Sequence, residues 1–546
     1  MNGKTRDTAP DSAPMWGKKV KESYGPDDVS VEYWRDLGMP GSYPFTRGIH
    51  PGMYRTKLWT MRELAGYGTG QDTRQRLLRH LELGATGVAV IADTITHLGI
   101  DPDHPLAEGQ LGLRGVPLNS LRDMEELFEG VPIERLRVNI IHNPASAFVS
   151  LAQYIAMAEK RGLDISKLAG MVQNHPLTSF WSNDFADRPI DLCLKEAGDV
   201  LEYCVKFMPL WGPVSVNSGV IGEQGASAPL EIAISVGAAT ALIEEGLRRG
   251  LHINEVAPRV PIHPTIHVNV FEQVAQYRAW RRLWARLMKE KYGVEDPAVM
   301  RLRMGVYARG SNLYAAEPLT NIIRITLQAV AAALGGVQSI MIPGYDEAFG
   351  LPSDEAQLIA LRTQQIVAYE SGIANVADAL GGSFYVEYLT QKFEEEAREI
   401  MQVIDDMGGI LEAIKCGWVD EQLTKANIDY YQSILTGKEV AVGVNAFCVP
   451  GRAGREVEPL RVSPEVQSSY LKRFAELKAT RNHLLVKQTL ARLKEVAGQK
   501  DGPNMMPYVI EAVKAYATTG EIFGTVREAM GYPYDPLHAI ESPFKD

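Results

Sequence analysis

The chain of 546 residues contains only four cysteines, Cys193, Cys204, Cys416 and Cys448, and no CxxC pair. That scatter excludes a zinc-ribbon or disulfide framework and reads as reduced, mostly buried thiols. No apolar run reaches the about 18 uninterrupted residues that a bilayer span requires. The opening stretch, MNGKTRDTAPDSAPMWGKKVKESYG, lacks the apolar core of a secretory signal, so a cytoplasmic location is expected. Positive charge is not in excess: 56 Lys and Arg stand against 67 Asp and Glu, a formal net charge of −11. A general nucleic-acid binder would carry a basic footprint, so that class is excluded. No GxGxxG fingerprint opens a strand–helix unit, which weighs against a Rossmann dinucleotide site.

What is present is an alternation of apolar runs and helical patterns. The runs are TGVAVIAD (86–93), RLRVNIIHN (135–143), KLAGMVQN (167–174), GPVSVNSG (212–219), RLRMGVYARG (301–310) and VQSIMIPG (337–344), with weaker ones near 55–60 and 258–264. Apolar strands separated by helices suit a parallel sheet covered on both faces. Eight such repeats predict an α/β fold, a (β/α)8 TIM barrel with an N-terminal arm over 1–40, the barrel over 41–420 and a C-terminal helical extension over 421–546. Polar residues stand where the runs stop: Asp93, His142, Asn143, Gln173, Asn174 and Asn217. In a β/α barrel those strand ends face the active site.

The segment Tyr43–Gly70, YPFTRGIHPGMYRTKLWTMRELAGYGTG, crowds Arg47, Arg55, Lys57 and Arg62 among Tyr43, Phe45, Tyr54, Trp59 and Tyr67. Guanidinium groups fork onto phosphates and stack on flat rings, so the pattern suits a ligand with phosphates and an aromatic base.

This segment, followed by ADTITHLGIDPDHP (92–105), APRV (257–260), GGVQS (335–339), DEAFGLP (346–352), ESG (370–372), GGSFYVE (381–387) and VGVN (442–445), resembles the coenzyme-B12-dependent acyl-CoA mutases, the methylmalonyl-CoA mutase family. The resemblance covers roughly residues 40–530. It implies a barrel that encloses the CoA arm and a radical carbon-skeleton rearrangement started by adenosylcobalamin. The family carries its cobalt-ligating histidine in an Asp-x-His-x-x-Gly motif on a flavodoxin-like domain, and this chain has no Asp-x-His. The expectation is therefore a large subunit of a split mutase, with the cobalt ligand on a small cobalamin-binding partner in a hetero-oligomer; a G-protein chaperone is a further expected partner.

Position by position, the resemblance assigns His50, Met53, Lys57, Thr60, Arg62, Asn139 and Arg259 to CoA and its thioester. It assigns His97, Glu223, Gln338 and Glu370 to the corrin or adenosyl group. Departures bear on the substrate. Asn183 replaces the arginine that pairs with a substrate carboxylate, and a buried carboxylate without a cation is costly. Leu64 replaces a tyrosine, and Ile91 stands where 2-hydroxyisobutyryl-CoA mutases carry an aspartate. The acyl pocket therefore reads as apolar, suited to a neutral branched or bulky group. The run SGVIGEQGA (218–226) lacks the family's thioester-facing histidine near Val220 or Ile221, leaving His142 and Gln173 as alternative donors. Two other readings stay open: a catalytically quiet CoA-binding assembly subunit, and a cobalamin-independent β/α-barrel lyase.

Overall fold

A computed structural model describes residues 15–142, 146–181, 189–449, 460–499 and 502–544. The chain forms two compact units, the first comprising Met1–Glu63, Val216–Ile243 and Pro261–Leu460 and the second Leu64–Ser215, Glu244–Val260 and Arg461–Asp546. Strands in chain order are β1 (Thr60–Arg62), β2 (Leu64–Ala65), β3 (Val88–Ile91), β4 (Arg137–Ile141), β5 (Ala169–Val172), β6 (Trp211–Gly212), β7 (Thr265–Ile266), β8 (Gly305–Ala308) and β9 (Ser339–Met341). Every ladder between them is parallel. The first unit holds the order β1-β9-β8-β7 and the second β2-β3-β4-β5-β6. Only Glu63 separates β1 from β2, so the described strands make eight runs along the chain, as the α/β expectation requires. The two weaker strand runs lie further along than the pattern places them, at 60–65 and around 262–266. There the apolar signal is interrupted by Arg62, Glu63, His263 and Pro264.

In the first unit the helix Val270–Tyr292 is buried almost all round and packs along Phe384–Asp406. Acids meet three of its guanidinium groups: Arg278 pairs with Asp378 and Glu387, Arg282 with Glu394, and Arg286 with Glu394 at 2.8 Å and Asp36 at 2.6 Å. Removing one partner of such a buried pair would strand the other charge. The N-terminal arm joins this unit through Met15 and Trp16, both buried, with the Trp16 amide donating to Glu272 at 2.9 Å.

In the second unit the helices His483–Ala497, Met506–Lys514 and Thr519–Ala529 share one hydrophobic core with β3, β4 and β5. Leu493, Val509, Val513 and Val526 are as deeply buried there as Val90, Val138 and Val172. Asp199 draws residues 504–505 to the helix Ile190–Phe207: its carbonyl accepts from Asn504 at 2.8 Å and its carboxylate from the Met505 amide at 3.2 Å. Cys193 and Cys204 are buried and in no disulfide, whereas Cys416 and Cys448 are exposed, so burial holds for half of the cysteines only.

Candidate active site

Register decides which side chains share a face. In the second unit Leu64 pairs with Ala89, Ala89 with Asn139 and Asn139 with Met171, while Ile91 pairs with Ile141. Side chains alternate along a strand, so Leu64, Ala89, Ile91, Arg137, Asn139, Ile141, Ala169, Met171 and Gln173 line one face, with Arg137 and Ala169 at the starts of β4 and β5. The other face, Ala65, Val88, Val90, Val138, Ile140 and Val172, belongs wholly to the hydrophobic core. Leu64, Ile91, Asn139 and Ile141 are only half-buried. Four residues that the sequence assigns to substrate thus stand together on the open face, and three of their neighbours there are apolar. Gly66 follows on this face, where a Cβ would lie 2.5 Å from the Ile91 carbonyl oxygen.

Beyond the ends of β3 and β4 stand His97 and His142, their rings 5.0 Å apart and inclined at 58°. Burial pushes His97 down to about 4, opposed by its bond to the Ile141 backbone. The ring is therefore neutral near pH 7, and its Nε2 is buried with no hydrogen-bond partner. Past β5, Gln173 is buried, and His175, which the sequence reading passed over, donates to or accepts from Thr178 Oγ1 at 3.2 Å. Burial lowers His175 to about 3, and its Nε2 is also unpartnered. Asp93 is a cap: its carboxylate accepts from the Thr96 amide at 2.9 Å and the Gly112 amide at 3.1 Å. Arg259 is half-buried beside the helix Ile253–Val256, donating to the carbonyls of Glu255 and, at 3.4 Å, Pro209. Asn183 lies outside the described residues.

In the first unit the cations gather ahead of the strands. His50 is lowered by partial burial and then by Arg301, Arg303 and Lys57, which marks a local cluster of positive charge preceding β1 and β8. Lys57 is exposed. Arg47, by contrast, is committed to structure through Asp378 at 2.9 Å and Tyr33 at 2.8 Å. Met53 is buried at φ 38° beneath this cluster. The pairings Arg62–Met341, Met341–Tyr307 and Tyr307–Thr265 place those four side chains on one face with Thr60, Ser339 and Gly305. The opposite face, Met61, Ile340, Val306, Ile266 and Ala308, is buried and apolar. Arg62 is buried at the end of β1, close enough to His263 to help lower it to about 3, after burial itself.

Gln338 precedes this face by one residue and is engaged with backbone: it accepts from the Met304 amide at 2.9 Å and donates to Gly336 at 2.9 Å. Glu223 holds the turn after β8 by accepting from the amides of Gly310 at 2.8 Å and Ser311 at 3.1 Å. Glu370 is exposed at the end of the helix Asp354–Tyr369. The buried Arg309, at the end of β8, escaped the sequence reading, although the charge ending the run RLRMGVYARG was its visible signal.

A family model described as methylmalonyl-CoA mutase matches residues 15–532. The 2-hydroxyisobutanoyl-CoA mutase large subunit of Aquincola tertiaricarbonis is 37% identical over 516 residues, covering 93% of this chain and 91% of that one. A probable mitochondrial methylmalonyl-CoA mutase of Caenorhabditis elegans is 34% identical, covering 96% of this chain and 70% of its own. The methylmalonyl-CoA mutase of Rhizobium meliloti (strain 1021) is 33% identical, with 94% and 72% covered.

Proposed function

Because the chain belongs to the methylmalonyl-CoA mutase family, whose fold is of the TIM-barrel type, we propose that it is the acyl-CoA-binding large subunit of an adenosylcobalamin-dependent mutase acting on a neutral, branched acyl-CoA. The observation that carries the acyl preference is the apolar surface of Leu64, Ile91 and Ile141 on one open face; the cation that alternation places there among the described residues, Arg137, stands at the opposite end of β4 from Ile141. A carboxylated acyl group would be desolvated there without a partner. The cluster of His50, Lys57, Arg301 and Arg303 suits the phosphates of CoA, since local cations must offset the chain's net negative charge. Thr60 and Arg62 supply a hydroxyl and a guanidinium along the same unit's strand face.

The neutral His97 ring beyond β3, with His142 beside it, fits the cofactor. His97 Nε2 is an acceptor with no protein partner, the atom that a corrin side-chain amide would satisfy. His97 and His142 are the residues that would hold this group, and a small partner subunit would bring it. When bound, adenosylcobalamin supplies the radical that starts the rearrangement. The chain's own task is to bind the CoA handle, orient the acyl group on an apolar face and exclude water from it.

Hydrogen–tritium exchange between labelled cofactor and isobutyryl-CoA, pivalyl-CoA or 2-hydroxyisobutyryl-CoA, with the cobalamin subunit present, tests the reading. Exchange with a neutral acyl-CoA and much less with methylmalonyl-CoA is the expected result. Tight acyl-CoA binding without exchange for any ester would instead favour a quiet assembly subunit, and turnover without cobalamin would favour a lyase.

A further inference from the structure

His97 rides on a helix of only 5 residues, Thr94–Leu98, and the chain leaves that helix through Gly99, Asp101 and His104. So short a helix scarcely exceeds its own nucleus and does not hold its place unaided. Its support comes from the distant C-terminal segment, which belongs to the same compact unit. Ile95 on the helix, with Ile100 and Ala107 on the loop, is buried against Tyr470 and Phe474, and Leu98 and Leu537 pack on this cluster. Gly99, at φ 68°, lies so close to Phe523 that a Cβ there would stand 2.1 Å from its ring.

Polar contacts fix the same loop at two further points. Asp101 accepts from the Thr518 hydroxyl at 2.5 Å and from the Gly520 amide at 2.8 Å. His104 and Asp535 are both buried, with Nε2 and the carboxylate 3.0 Å apart. The other ring nitrogen settles the tautomer. Nδ1 accepts from the Leu106 amide at 3.1 Å, so it is bare, and Nε2–H donates to Asp535. Asp535 also accepts from the amides of Leu537 at 3.0 Å, Ala539 at 2.5 Å and Ile540 at 2.8 Å. Burial opposes its ionisation, yet His104 and these amides hold its carboxyl below the usual carboxylate range.

We propose that Asp535, acting through His104, is a positioning residue for His97: the C-terminal segment clasps the loop and sets where the His97 ring meets the cofactor that the partner subunit carries. This rests on the mutase reading. His97 donates to the Ile141 backbone and keeps Nε2 bare, so the ring is aimed as well as buried. A hydrogen bond tolerates only a few tenths of an ångström, so a helix that slips carries Nε2 out of reach. Asp535→Asn would turn amide hydrogens towards donors that now meet a carboxylate, and the loop would lose its anchor.

The test titrates the His97 ring by NMR, assigned by its loss in His97→Gln, in the full chain. Asp535→Asn and His104→Leu are expected to raise its value by about one unit or more, because water reaches a ring that burial keeps dry. His104→Gln, which keeps an N–H for Asp535, is expected to stay close to wild type. Binding of the small subunit loaded with adenosylcobalamin is expected to weaken about tenfold in Asp535→Asn and His104→Leu, with free CoA held within about twofold. Leu493→Ala destabilises the core on β3–β5, outside the cluster of Ile95 and Tyr470, and is expected to leave the ring unmoved. Should Asp535→Asn not fold, His104→Leu decides, since Asp535 there keeps its amides. An unmoved ring in these variants overturns the proposal, as does a moved ring with unchanged subunit affinity. An equal shift in Leu493→Ala also overturns it, reducing the clasp to general stability. A wild-type chain that does not bind the loaded small subunit overturns the mutase reading, and the ring titration still decides the clasp by itself.

Discussion

The single residues of this protein show how burial fixes protonation before any ligand arrives. His97 and His175 are lowered to about 4 and about 3 by desolvation, so both are neutral acceptors at physiological pH. The sign of the stability effect follows from linkage. A histidine whose folded value lies below its unfolded one leaves stability intact above the unfolded value, and stability is lost as pH falls towards the folded value. His97→Gln should therefore flatten the acid side of the stability profile. Urea unfolding at pH 7.5 and pH 5 checks this: wild type should lose up to about 2 kcal/mol more than the variant, because pH 5 lies about 1.5 units below the unfolded value. Equal losses would mean that His97 takes up its proton without unfolding. Asp123 acts in the opposite direction. Burial raises its carboxyl from the ordinary 3.8 to about 7, so its contribution is complete only below the unfolded value and fades as pH rises from there through 7.

Among the elements, the strands act as sorters. In each unit one face is uniformly apolar and sealed, and the other carries the part-exposed polar residues. Widening a side chain on the open face should therefore affect ligand more than fold. Ile91→Phe is expected to weaken acyl-CoA binding by more than tenfold with a much smaller change in unfolding temperature, read by calorimetry; a collapse of the fold would place Ile91 in the core instead. The C-terminal helices behave as core elements. Leu493→Ala, at a position with no exposure, should cost about 2–5 kcal/mol in the cooperative unfolding of the second unit, followed through the buried Trp211. An independent tail module would instead leave the Trp211 transition where it is.

For the whole molecule, the net charge of −11 coexists with a cation cluster around His50, and that contrast predicts salt-sensitive CoA binding. Lys57→Ala combined with Arg303→Ala should weaken free CoA and reduce the dependence of its affinity on ionic strength, because fewer screened charges remain. An unchanged salt slope would assign the phosphates to other cations. No helix among the described residues is long and apolar enough to cross a membrane.

The family and the α/β class were legible in the sequence, because short motifs in fixed order and apolar runs of strand length survive as local patterns. The grouping of Leu64, Ile91, Asn139 and Gln173 was partly legible too, since each lies at or near a strand end. Their common face was not, because it depends on register between strands far apart in the chain. The engagement of Gln338 with backbone, the pairing of His97 with His142 and the burial of the C-terminal helices likewise required the fold. Arg309 is the clearest case. As a letter it is one of many surface-compatible cations; only tertiary packing removes its water and crowds it, with Thr265 and Glu231, against the backbone of Gly222. Local sequence sets which elements form, whereas desolvation and convergence arise only when distant segments meet.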